Sequence, residues 1–170
     1  MEWQSEDIGK LATALTPTIF GLLGALALAV PFRFFEGFAP TPLIPLFVVF
    51  FWSLYHPDYL PAPSVFLIGL AQDFLVGGPI GLWALVYLGV HGAVLTQREF
   101  FLGRTLGVVW TGFAFAATFA AVFAWIATSI YNGKTAVVSV LTTQMAVTIL
   151  TYPLFARGFA HLHRRAFLDE

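Results

Sequence analysis

No cysteine occurs in this chain, which excludes disulfides and thiolate metal ligands alike. Charge is almost as scarce. Only 10% of the residues are Asp, Glu, Lys or Arg, against about a quarter in an ordinary soluble domain. The 8 basic and 9 acidic side chains leave a net charge of −1. No basic arm or interleaved basic-aromatic patch stands out, so nucleic acid is not an expected partner. Catalytic signatures are missing as well: there is no nucleophile elbow, phosphate loop, H-E-x-x-H or pair of carboxylates. An enzyme reading has no residues to rest on, and no cofactor or metal is expected. The first residues, M-E-W-Q-S-E-D-I-G-K, are acidic where a secretory signal is basic, so the first apolar segment is expected to be retained.

What the chain does have is apolar sequence in long blocks. Hydrophobic residues make up 59% of it, and the mean hydropathy is +0.84. Its 170 residues leave room for about six membrane spans of roughly 20 residues with short connections. The expectation is an all-α integral membrane protein. It forms a single polytopic domain over residues 1–170, a compact bundle of six transmembrane helices. The spans are expected at about 16–35, 43–55, 62–76, 80–95, 105–131 and 136–155. The second reaches only roughly 20 Å at about 1.5 Å per residue, short of the roughly 30 Å hydrocarbon core, so it is tilted, extended by its neighbours or not fully spanning.

The rest of the chain is organised around Gly69 to Gly81, G-L-A-Q-D-F-L-V-G-G-P-I-G. Gly77 and Gly78 followed by Pro79 read as a helix stop and a helix start back to back. The preceding loop, His56 to Pro63, is dense in proline and is expected to be extended and stiff. Two stripes of small residues at spacing four allow close helix approach: Gly21, Ala25 and Ala29 in the first span, and Gly112, Ala116, Ala120 and Ala124 in the fifth. The first stripe also suits docking to a partner, although packing within the protein is its simpler meaning. The sixth span carries Ser139, Thr142, Thr143, Gln144, Thr148 and Thr151, a row suited to interhelical hydrogen bonds, and Pro153 is expected to kink its end.

Six spans place both termini on one side of the membrane. Lys10, Arg98, Arg104, Arg157, Arg164 and Arg165 fall on that side, with Arg33 and Lys134 opposite. The bias puts both ends in the cytoplasm and the Gly77–Pro79 corner outside. Asp73, one turn before the corner, needs an explanation, because a carboxylate beside hydrocarbon is expensive. Either it is solvated or bonded to nearby backbone at the interface, or it fixes an outward partner or neighbouring loop. Gln72 reads in the same way. His91 lies too deep to pair with Asp73, and a proton relay needs more groups in series than these two, so a satisfied core histidine is the simpler reading. Trp83 and Tyr87 are candidates for the membrane interface. Asp58 and Arg98 flank the other end of the hairpin and are placed to pair. His161, His163, Arg164 and Arg165 in the tail suit contact with anionic lipid better than a metal.

The run H-P-D-Y-L-P-A-P-S-V-F-L-I-G-L-A-Q-D-F-L-V-G-G-P-I-G-L-W-A-L resembles the rod shape-determining MreD family. Members of that family show a proline-acid loop, then G-L-x-x-D, then G-x-P-x-G between two membrane helices. Pro57, Asp58, Gly69, Leu70, Asp73, Gly78, Pro79 and Gly81 fall on that pattern, with Gln72 and Gly77 inside it. The resemblance implies a non-enzymatic scaffold of the bacterial inner membrane that binds MreC. It further implies membership of the elongation machinery for peptidoglycan synthesis and cell shape, with MreB, RodA and a class B penicillin-binding protein. The family is similar in architecture to the membrane substrate-binding subunits of vitamin transporters. The alternative is therefore a small-molecule binding subunit of a transporter, with His91, Thr142, Thr143 and Gln144 as a thin pocket lining. Against it stands the lack of convergent polar groups at mid-membrane.

Overall fold

The structure is a computed structural model. It describes the backbone of residues 3–29, 41–133 and 138–167, and the side chains of residues 15–29, 41–133 and 141–158. Six α-helices account for most of these residues: α1 (Trp3–Ala29), α2 (Ile44–Tyr55), α3 (Ala62–Val76), α4 (Leu82–Phe101), α5 (Leu106–Asn132) and α6 (Val138–Phe167). A single 3-10 turn, Pro57–Tyr59, joins α2 to α3. No strand occurs among the described residues.

The shortest helix is the axis of the bundle. α2 reads I-P-L-F-V-V-F-F-W-S-L-Y, apolar on every face, and nine of its 12 residues are buried. A helix that is hydrophobic all round has no side to turn to water and is stable only when enclosed. Helices α1, α4 and α6 pack directly on α2, while α1–α3, α3–α4, α4–α5 and α5–α6 contacts carry the enclosure around it. Its central rings, Phe47 and Phe50, meet Phe113 of α5 and Tyr152 of α6. Phe113 and Tyr152 themselves stack at 4.1 Å between centroids with an interplanar angle of 11°, closer than the roughly 4.5–7 Å usual for ring pairs.

Both ends of α2 are tied by other helices. No side chain of its own segment caps its start at Leu43. Instead the Leu43 amide donates to Thr148 Oγ1 on α6 at 3.1 Å, and Gln144 Nε2 donates to Thr41 O at 3.1 Å. At the other end Arg98 Nε donates to Leu54 O at 2.9 Å. Helix ends leave unpaired amides and carbonyls that must find partners when buried. Thr148 and Gln144 act as interhelical ties, whereas Thr142 and Thr143 are exposed. Ser139 lies outside the residues whose side chains are described.

Several boundaries differ from expectation. α3 matches its expected span, and α5 starts and stops within one residue of its own. α1 begins at Trp3, well before the apolar run, because the polar opening segment still favours helix; residues 30–40 lie outside the described residues. α4 continues to Phe101, so Thr96–Phe101 is helix and not loop; the turn comes only at Leu102 and Gly103. α6 runs through Pro153 to Phe167. The proline loop is not extended throughout, since Pro57–Tyr59 coils into its 3-10 turn and buries Leu60.

Among the described residues one helix, α5, is long and apolar enough to cross a membrane, and only 22% of its most apolar stretch is buried inside the protein. A soluble core helix would be mostly buried. Large apolar side chains also face outward elsewhere, among them Phe74, Ile80, Leu150 and Leu154. Exposed apolar surface on this scale, where it is contiguous, marks a lipid or protein contact.

Candidate functional site

The corner between α3 and α4 is built on two backbone devices. Gly69 sits where the two helices cross. A Cβ there would lie 2.4 Å from Ala84 Cα and 2.5 Å from Ala84 N, so no side chain fits between the backbones. The second device is the five-residue loop Gly77–Gly81. Gly77 (φ 77°) ends α3 and Gly81 (φ 93°) precedes α4, both in conformations that residues with a Cβ rarely adopt. Pro79 is therefore not the first residue of α4, as the Gly-Gly-Pro order suggested. It opens a turn whose carbonyl accepts from Leu82 N at 3.2 Å, and Gly81 resets the chain before the helix begins.

Asp73 closes this corner. It is 4% exposed. Its Oδ2 accepts from the Gly81 amide at 2.8 Å and its Oδ1 from the Trp83 amide at 3.1 Å. Gly81 has no side chain with which to cap α4, so the carboxylate of the preceding helix does so across the turn. A negative charge at the positive end of a helix, accepting two otherwise unpaired amides, is favourable on both counts. Of the two readings of Asp73, it is the bond to nearby backbone that the geometry displays.

The neighbouring polar groups are paired as well. Tyr87 Oη donates to Gln72 Oε1 inside the α3–α4 contact; Tyr87 is fully buried within the protein, while Trp83 is half-buried. One helix layer deeper, His91 Nδ1 lies 2.7 Å from Ser53 Oγ, and Ser53 Oγ donates to Val49 O at 2.5 Å. The serine has one hydroxyl proton and spends it on Val49 O. The Nδ1 proton must then belong to His91, which donates to the serine. His91 is thus a paired core histidine that locks α4 to α2.

Of the remaining motif residues, Gly78 is exposed at the corner, and Pro79 and Leu70 are half-buried. Pro57 and Asp58 are not part of the corner. They lie in the 3-10 turn before α3, and the 15 residues of that helix separate the two groups by about 22 Å at 1.5 Å per residue. Asp58 is exposed and Arg98 turns to Leu54 O, so the expected Asp58–Arg98 pair does not form among the described residues. Sequence reading could not have found the true partner, because a backbone carbonyl carries no residue signature.

The small-residue stripes are only partly contact surfaces. Gly21 packs against Ile68, where a Cβ would lie 2.4 Å from Ile68 Cδ1, and Ala25 is fully buried, but Ala29 is exposed. Gly24 packs against Ile44 and Pro45, where a Cβ would lie 2.8 Å from Ile44 Cγ2, and was missed because it falls off the spacing of four. On α5, Ala120 and Ala124 are buried, Gly112 and Ala116 only partly, and Ala117 joins the buried face. The tail's His161, His163, Arg164 and Arg165 lie outside the residues whose side chains are described, and no cluster of His, Cys, Asp and Glu suited to a metal occurs among those that are.

Compared with protein-family models, with curated proteins and with solved structures, the chain finds no match.

Proposed function

We propose that the chain is a multi-pass scaffold of the bacterial inner membrane, of the MreD type, whose α3–α4 corner and adjoining outer faces hold the single membrane helix of MreC. In this reading all six helices lie in the bilayer, both termini are cytoplasmic, and the protein catalyses no reaction. It serves the elongation machinery with MreB, RodA and a class B penicillin-binding protein.

One observation carries the reading. The residues on which the resemblance rests at the corner, Gly69, Asp73 and Gly81, are those that build it: the crossing, the cap and the left-handed turn. A motif with a structural role at each of these positions supports a rigid presented shape more readily than a reaction centre. The outward apolar residues of the corner, Phe74, Val76 and Ile80, supply surface for a partner helix or lipid. A transporter subunit would hold its ligand near the middle of the bundle, where Phe47, Phe50, Phe113 and Tyr152 already pack together.

Because Asp73 and Gly69 maintain the fold, the test uses exposed or half-buried positions. Phe74→Ala, Pro79→Ala and Ile80→Ala are expected to leave membrane yield unchanged while weakening co-purification of MreC and disturbing rod growth. Normal MreC recovery and normal rods in all three would refute the assignment.

A further inference from the structure

Between α4 and α5 runs a groove of about 360 Å³ lined by Phe50, Val90, Val94, Phe101, Ala116 and Phe119, with Ala93 and Gly112 at its edges. It lies at the lower end of the roughly 300–1,000 Å³ typical of ligand pockets. Gly112 seats the Phe101 ring, which lies 2.5 Å from where a Cβ would stand, and Ala93 and Ala116 leave width that larger side chains would fill. From Phe101 to Val90 it follows about 16 Å of α4 at 1.5 Å per residue.

The lining is apolar apart from Gln97, one turn before Phe101. The α4–α5 connection follows Phe101, whose carbonyl accepts from the Arg104 amide at 3.1 Å. Arg104 is exposed. Its Nε donates to Phe100 O at 3.4 Å, and its guanidinium lies 5.2 Å from the Phe100 ring centroid. Its two Nη groups donate to no protein acceptor among the described residues. Arg98, six residues earlier, is held by Leu54 O on α2, which leaves Arg104 as the cation nearest Phe101 in the connection.

We propose that this groove binds one anionic phospholipid of the bilayer, an acyl chain lying along α4 and α5 and the phosphate meeting the Arg104 guanidinium. An apolar groove with a cationic residue joined to the lining residue at one end complements an amphiphile with one charged end. Basic pockets between membrane helices on the cytoplasmic side take such headgroups, and guanidinium nitrogens pair well with phosphate oxygens. The inference rests on the membrane reading above and adds a specific lipid class and site to it.

The test uses the full chain purified in a nonionic detergent, with phosphatidylglycerol and phosphatidylcholine of identical acyl chains compared by native mass spectrometry. The parent is expected to retain phosphatidylglycerol about fivefold better, the factor that one basic residue contributes at an anionic surface. Arg104→Gln is expected to abolish the preference, and Ala93→Phe, at an exposed position on the groove, to reduce retention of both lipids. Equal retention by the parent, an undiminished preference in Arg104→Gln, or full retention in Ala93→Phe would each overturn the proposal. Loss of MreC co-purification in Ala93→Phe with lipid retention intact would overturn it too, assigning the groove to a partner helix. If the chain fails to sediment with membranes before detergent is added, the membrane reading itself falls. Sedimentation with membranes but no lipid preference removes only the groove.

Discussion

Replacing Asp73 by alanine probes the corner most directly. The carboxylate accepts two amides, from Gly81 at 2.8 Å and Trp83 at 3.1 Å, at the start of a helix that has no other side-chain cap. Losing a cap costs about 0.5–2 kcal/mol, and each hydrogen bond to a charged group contributes about 1.5–3 kcal/mol. Removing a nearly buried charge returns part of that through relieved desolvation, which leaves a net loss of about 2–4 kcal/mol. For a chain of this size 1 kcal/mol corresponds to about 2–4 °C, so the melting temperature should fall by roughly 5–15 °C. Asp73→Asn has nearly the same shape, but its amide nitrogen cannot accept. It retains one bond and should lie about midway between parent and alanine. The assay is thermal unfolding of the detergent-purified protein, followed by tryptophan fluorescence. A melting temperature for Asp73→Ala within 1 °C of the parent, or identical values for the two variants, would show that the cap is not what holds α4 to α3.

Gly69→Ala should destabilise by at least about 2 kcal/mol, in the range of overpacked cores. Ala84→Gly should fail to rescue it, because the clash is with the Ala84 Cα and N and not with its side chain; melting of the single and double variants checks both points. Ser53→Ala leaves the His91 Nδ1 proton without an acceptor and should cost about 1–3 kcal/mol, and in a double-mutant cycle with His91→Leu the two losses should be non-additive. Additive melting shifts would sink that pairing. Thr148→Val removes the acceptor for the Leu43 amide at the start of α2 and should lower stability by about 1–3 kcal/mol, while Thr148→Ser, which keeps the hydroxyl, should recover most of it. If serine and valine behave alike, the hydroxyl is not what matters there.

By itself the sequence determined the helices and their interruptions. Apolar runs between glycine and proline are local signals, so α3 and α5 could be placed almost to the residue. The helix stop at Gly77 was legible for the same reason, since left-handed turns favour glycine whatever surrounds them, but the restart was placed at Pro79 and falls after Gly81. Where local signals misled, the deciding group lay elsewhere. Thr96–Phe101 looked like loop because it is charged, yet Arg98 keeps its place in α4 by donating to Leu54 O on a helix 44 residues away in sequence.

Tertiary structure alone decided which polar groups meet. Asp73 could be recognised as costly, but its partners are backbone amides that bear no residue type. The Ser53–His91 pair joins helices 38 residues apart, and nothing in the spacing of either helix points to the other. Gln72 and Tyr87 came together because Gly69 lets α3 and α4 approach until their backbones nearly touch. The central place of α2 was equally hidden. Uniform apolarity says that a helix will be enclosed, and only the packing of the others shows by what. Periodicity along a chain records how each helix is made. Which faces come to lie against each other depends on crossing points and ring packing, and these exist only once the helices have assembled.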